Sequence, residues 1–324
     1  MRVSWKFILA LPCGVLLGLA IFVGLLYTQL GVPTASSEWT YEIVHKKELL
    51  AAKIAGPKLL LVGGSATLFG LNGEEIEKQT GCPTINMGSH AGLGPRYILY
   101  LAQKDLRPGD TILLVFEYEF YSDRADTEAF DDYVLARDPA YFREMSWFNK
   151  ITMATQIPFK RIQKGLSVRR TPEHTRPHAP YAGVISDHGD EVNNWAVNRP
   201  ADAPDRELIA DGLIHGIPSD RTESFGVIRV FVQWAKARNI TVLATFPNIV
   251  HRPEYDEQAG QQAISTITQF YASLGIPVVG TAREAMLPPG QFFNTYYHLT
   301  HEAALQRTDR LIPELKPYLT NFPR

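Results

Sequence analysis

The chain is poor in the features that mark several large classes of protein. Only two of its 324 residues are cysteine, Cys13 and Cys82. Two thiols make no disulfide framework, and no Cys spacing of the zinc-binding kind is present. Neither sign of charge is in excess: 32 Lys and Arg stand against 34 Asp and Glu, a formal net charge of −2. That balance offers no basic field for nucleic acid and argues against any partner recognised through total charge. There is no internal repeat and no low-complexity tract. No motif for a cofactor or a metal ion stands out, and neither is expected.

One stretch has no charge at all. It runs from Phe7 to about Tyr27, with Arg2 and Lys6 in front of it. A helix needs roughly 20 apolar residues to span a bilayer, whereas the apolar core of a secretory signal has about 7–15. The length and the basic flank predict a signal anchor: a cytoplasmic n-region over 1–6 and a span over 7–27. The rest of the chain then lies outside the cytoplasmic membrane, in the periplasm or extracellular space. Cys13 falls inside this span and Cys82 in the body, so the two do not pair. "VPTASS" matches a cleavage site only weakly, and "ALPCG" matches a lipoprotein acceptor only loosely. Cleavage and a buried core helix remain the alternatives.

Residues 28–56 read as a linker and an entry helix. Short apolar runs then alternate with amphipathic stretches. Strands are predicted over 58–63, 83–88, 111–118, 240–247 and 276–280. Helices are predicted over 72–81, 94–106, 223–239, 257–275 and 301–319, the last kinked or ended by Pro313. Such alternation predicts a doubly wound, flavodoxin-like α/β domain. Its mostly parallel sheet has about five strands and is built from 57–119 and 223–324. Residues 120–222 break the rhythm. Rich in Pro, Arg, His and aromatics, they form a long insertion after the third strand, either a lid or partner-binding element or a solvated excursion.

Ligands of doubly wound sheets bind beyond the carboxyl ends of the strands, so the chemistry of each end bears on function. The first gives "GGSAT". Its glycines allow a tight turn that presents Ser65, as a nucleophile or as a helix cap. The second gives "NMGSHAG", with Gly88 as a backbone donor and Asn86 and His90 as side chains facing substrate. The third gives "FEYEFY", where Glu117 could orient a histidine and Tyr118 could line the site. The fourth gives Asn248, His251 and Arg252, which fit a loop as well as a pocket. Just before the last helix stands His298, with Asn294 upstream. An imidazole there can act as a base toward Ser65.

The order of these features resembles the SGNH/GDSL hydrolase superfamily. Within it, the chain looks most like membrane-anchored relatives that accompany O-acylation of cell-surface polysaccharides. The resemblance covers roughly 57–118 and 223–319. It implies Ser65 as nucleophile, Gly88 and the Ser65 N–H as oxyanion donors, and His298 as catalytic histidine. Two positions depart from the pattern. Glu117 and Tyr118 stand where the family supplies an oxyanion asparagine, and Asn294 stands where it keeps its acid. Glu117 is then the candidate substitute acid. The resemblance further implies an acyltransferase or esterase acting on O-acyl groups, acetyl in such systems, with a polysaccharide and a multi-span membrane acyltransferase as partners. A catalytically weak binding or assembly subunit is the alternative.

Overall fold

The computed structural model describes residues 5–122, 128–170, 184–200, 222–320 and 322. Helix α1 spans Trp5–Tyr27 and α2 Ala35–Lys53. Strand β1 (Leu59–Gly63) leads into a short helix α3 (Ser65–Gly70), then α4 (Gly73–Thr80) and β2 (Thr84–Asn86). Helix α5 (Gly94–Asp105) and β3 (Thr111–Val115) follow. Four helices come next: α6 (Glu128–Arg137), α7 (Pro139–Glu144), α8 (Trp147–Gln156) and α9 (Phe159–Arg170). The chain then forms α10 (Glu223–Lys236), β4 (Thr241–Ala244), β5 (Ile249–Val250), α11 (Gln258–Ser273), α12 (Ala282–Ala285), β6 (Met286–Leu287) and α13 (His301–Leu315).

These elements fall into two compact units. One comprises 1–41 and 127–179, the other 42–126 and 180–324. The boundaries differ from those read in the sequence. The segment 184–200 belongs to the α/β unit: Asp190 accepts from Gly73 N at 2.8 Å, and Asn86 N donates to His188 O at 2.7 Å. The part of the insertion over 171–183 and 201–221 lies outside the described residues.

In the α/β unit four parallel strands are ordered β2-β1-β3-β4. One parallel bridge, Ala244 to Val278, marks the fifth position at the free side of β4. The expected fifth strand is reduced to that bridge because Pro277 has no N–H to donate to a longer ladder. Strand residues alternate between faces. Leu59, Leu61, Leu113, Val115 and Leu243 form one core with Ile76 of α4 and Leu311, Ile312 and Leu315 of α13. On the other face α5 packs on β1 and α10 packs on β4. The sheet is therefore covered on both sides. Pro313 sits in the last turn of α13, and the helix ends two residues later.

In the other unit, Tyr27 at the end of α1 meets Phe142 of α7 edge to face, with ring centroids 6.0 Å apart. Arg161 of α9 donates to Gln29 Oε1 at 3.1 Å and to Val32 O at 3.3 Å, and it pairs with Asp132. Among the described residues no helix is long and apolar enough to cross a membrane. The side chains of α1 are described at Ala10 and from Pro12 onward. The span expected over 7–27 thus gains no support from the fold.

Candidate functional site

The carboxyl ends of β1, β2 and β3 and the loop before α13 converge in the α/β unit. At the first, β1 turns directly into α3, with Ser65 as the first helical residue. A Cβ on Gly64 would lie 2.3 Å from Glu117 Oε1 and 2.8 Å from Ala91 Cα, so only glycine fits between these neighbours. Glu117 grips the turn from below. Its carboxylate accepts from Gly64 N at 3.2 Å and from Ala66 N at 2.9 Å, on either side of Ser65. Burial pushes this carboxyl up to about 7, and Glu119 adds to the rise, while the N–H groups of Ala66 and Gly64 oppose it. Ser65 is half-buried. No hydrogen bond from its N–H or its hydroxyl to the described residues competes for these groups.

His298 is held by the geometry of its own loop. Phe292 and Leu299 form an antiparallel bridge, and between them Thr295 Oγ1 accepts from Tyr297 N and His298 N, each at 3.2 Å. This side-chain turn folds the segment back so that Asn294 faces His298. Asn294 Oδ1 lies 2.7 Å from His298 Nδ1. An amide oxygen only accepts, so Nδ1 carries the ring hydrogen and Nε2 keeps its lone pair. The ring stacks on Phe69 of α3, with centroids 4.0 Å apart and planes 9° from parallel. Burial, and then the nearby His90, press the imidazolium down to about 3, although the residue as a whole is half-buried. His298 is neutral at pH 7, the form a base requires. Ser65 and Phe69 are four residues apart and share a helix face. The helix that presents Ser65 is therefore the one against which His298 lies. No hydrogen bond joins Ser65 Oγ to His298.

Other expected residues serve the scaffold. Asn86 is fully buried. Its Nδ2 donates to Thr67 O at 3.1 Å, Leu71 O at 3.0 Å and Asp190 Oδ1 at 3.2 Å, and its Oδ1 accepts from Gly88 N at 2.9 Å. Asn86 thus has no atom left for substrate, and the Gly88 N–H expected at an oxyanion is already engaged. Gly88 is needed for another reason: a Cβ there would stand 2.2 Å from Leu68 N. Its carbonyl accepts from buried Lys47, whose ammonium is lowered to about 7 by burial against the pull of Asp190 and Glu191. His90 Nδ1 accepts from Gly92 N at 2.9 Å. Glu117 makes no hydrogen bond to His298, so the substitute-acid role has no contact to support it. Tyr118 is buried and its hydroxyl finds no partner among the described residues.

Residues that the sequence reading did not weigh for this role hold the histidine loop. Asn248, fully buried, donates to Tyr297 O and accepts from Arg307 Nη1 at 2.9 Å. Arg307 also donates to Gly70 O at 3.0 Å and to Phe246 O at 2.6 Å, tying α13 to the end of α3 and to the segment that follows β4. Glu119 accepts from Tyr297 Oη at 2.6 Å and Tyr296 Oη at 3.2 Å. A signal for Arg307 was present. It falls in the apolar stripe Ala303, Ala304, Thr308, Leu311, Ile312, Leu315, where an exposed arginine would have no place. Among the described residues no group of His, Cys, Asp and Glu is arranged to hold a metal ion.

No family model matches the chain, and no curated protein does. Solved structures similar to it include the following two. Protein YxiM of Bacillus subtilis is 11% identical, over 83% of this chain and 58% of that one, with a TM-score of 0.40. This chain thus spans under two thirds of the length of YxiM. A protein of Streptococcus pneumoniae provisionally described as a platelet activating factor is 11% identical, over 87% of this chain and 92% of that one, with a TM-score of 0.41. At that level the fold rests on the sheet itself and not on the likeness.

Proposed function

We propose that the chain is an SGNH-like serine acyltransferase or esterase. On this reading segment 7–27 anchors it in the cytoplasmic membrane, and the α/β unit acts outside, on O-acyl groups of an envelope polysaccharide or exopolysaccharide. The observation that carries the reading is the neutral imidazole of His298, fixed by Asn294 at 2.7 Å and stacked on the helix that begins at Ser65. Ser65 Oγ attacks the acyl carbon while Nε2 of His298 takes its proton, and the Ser65 N–H faces the developing oxyanion. The leaving alkoxide then takes that proton from His298. A glycan hydroxyl, or water, releases the acyl group by the same steps in reverse. The uncharged apolar segment behind Arg2 and Lys6 supports the anchor. Acetyl as the acyl group, and a multi-span membrane acyltransferase as its supplier, rest on the family resemblance.

The test is labelling of the full-length protein, in detergent, with a fluorophosphonate probe, beside turnover of p-nitrophenyl acetate. Both signals should vanish in Ser65→Ala and in His298→Ala. A wild-type protein that neither labels nor turns over would overturn the enzyme reading. A second reading, an inactive binding or assembly subunit, is favoured by three observations: the amide at Asn294, the engaged Gly88 N–H and the absence of a Ser65–His298 hydrogen bond.

A further inference from the structure

The helical unit built from 1–41 and 127–179 carries a surface that its own core does not explain. On α8 and α9, Trp147, Phe148, Ile151 and Phe159 are 73%, 77%, 61% and 64% exposed. Trp147, Phe148 and Ile151 fall within five residues of α8, and exposed large apolar side chains so close together mark an interaction surface, with Phe159 opening the next helix. The charge around them has one sign. From Met145 to Arg170 the sequence holds Lys150, Lys160, Arg161, Lys164, Arg169 and Arg170 and no acidic residue. Of these, Arg161 is buried in its pair with Asp132, whereas Lys160, Lys164 and Arg169 are exposed.

The place of this surface is also defined. Phe142 touches Tyr27, the last residue of α1, and the Lys150 ammonium lies over both Phe142 and Trp147, at 5.6 and 5.1 Å from the ring centres. The aromatic surface therefore begins one lysine side chain from where α1 ends. The exposed apolar residues of α1 itself, Val15, Leu16, Leu17, Leu19 and Ile21, belong to the same unit. Trp and Phe rings flanked by Lys and Arg are suited to the boundary between headgroups and acyl chains.

We propose that α8 and α9 lie on an anionic phospholipid surface around the exit of α1. Trp147, Phe148, Ile151 and Phe159 enter the acyl boundary, and Lys160, Lys164 and Arg169 face lipid phosphates. The inference rests on the anchor reading and is independent of the chemistry at Ser65. Its consequence is that the helical unit is seated on the bilayer and does not hang from it by a single helix.

The experiment uses the full chain with Cys13→Ala and Phe148→Cys, spin-labelled at 148 and reconstituted into vesicles of phosphatidylcholine with phosphatidylglycerol. Collision with apolar oxygen should exceed collision with a water-soluble nickel chelate. Lys160→Glu together with Arg169→Glu should lower that ratio in anionic vesicles, by about fivefold in binding for each charge lost. A label that meets the nickel chelate more readily, in protein that stays with the vesicles through an alkaline wash, overturns the docking and leaves this surface to a protein partner. A ratio unmoved by charge reversal overturns the assignment to anionic headgroups. Release of the protein by the alkaline wash defeats the anchor reading and this inference with it, and fluorophosphonate labelling of Ser65 then reports on the enzyme reading separately.

Discussion

Asn294 and Glu117 flank the same site, yet each holds the group expected of the other. The amide stands beside the histidine, where an acid would stabilise imidazolium. The acid stands under the serine turn, where an amide would be a neutral donor. Their surroundings differ accordingly. Asn294 is half-buried and offers His298 one oxygen at 2.7 Å. Glu117 is buried, receives two backbone N–H groups and is pushed up to about 7. Orientation and charge are thus supplied by separate residues. The histidine is positioned without an anion, and the negative charge, when present, braces the serine turn.

The largest test of this contrast is Asn294→Asp. Exchanging acid for amide in a serine triad changes turnover by about four orders of magnitude. Restoring the acid should raise p-nitrophenyl acetate turnover by a large part of that, and should raise the pH at which His298 loses its charge. An unchanged rate would mean that the amide does not limit the site.

Glu117→Gln comes next, and its readout is stability against pH. A carboxyl whose folded value is about 7, against an ordinary 4.5, keeps its proton in the fold after the unfolded chain has released its own. Stability therefore falls as pH rises from 4.5 to 7, by about 3 kcal/mol, and stays low above that. The glutamine variant should lose this slope in thermal melts from pH 5 to 8. It should also be weaker at pH 5, because one of its two side-chain atoms cannot accept from an N–H. An unaltered slope would place the titration elsewhere.

Asn248→Ala moves the contrast to the histidine side. It strips Arg307 of one acceptor and Tyr297 O of its donor, a loss of about 2 kcal/mol. Thermal unfolding should shift down, and kcat should fall more than KM rises. The smallest effect is expected from Thr300→Ala, which removes the side chain that accepts from Ala303 N at 3.3 Å at the start of α13. The cost of a lost cap is about 1 kcal/mol. A similar shift in melting with no change in kcat would separate helix capping from loop placement.

The alternation of strands and helices was legible because the buried parallel strands read as short continuous apolar runs, whereas the helices between them, such as α4, α5 and α10, are amphipathic. The fifth strand, which the apolar run 276–280 suggests, is reduced because Pro277 leaves only the bridge at Val278. Ser65 and His298 could be singled out because Ser65 follows the Gly63–Gly64 turn and His298 stands just before the Thr300 cap, and Asn294 because it lies a few residues upstream of that histidine. The supporting network could not. Asp190 reaches Gly73, and Asn248 meets Arg307, across separations that carry no periodicity. Gly88 looked like a bare donor because nothing in "NMGSHAG" shows the Asn86 side chain turning back on the Gly88 N–H at 2.9 Å.

The Phe69 ring lies flat on His298, its plane 9° from parallel. Aromatic current in the phenyl ring therefore shields the imidazole protons and moves their resonances away from those of solvent-exposed histidines. That displacement labels His298 without any probe. Its titration, its response to Asn294→Asp and the arrival of a ligand at the Ser65 helix can all be followed on one resolved signal in the resting protein.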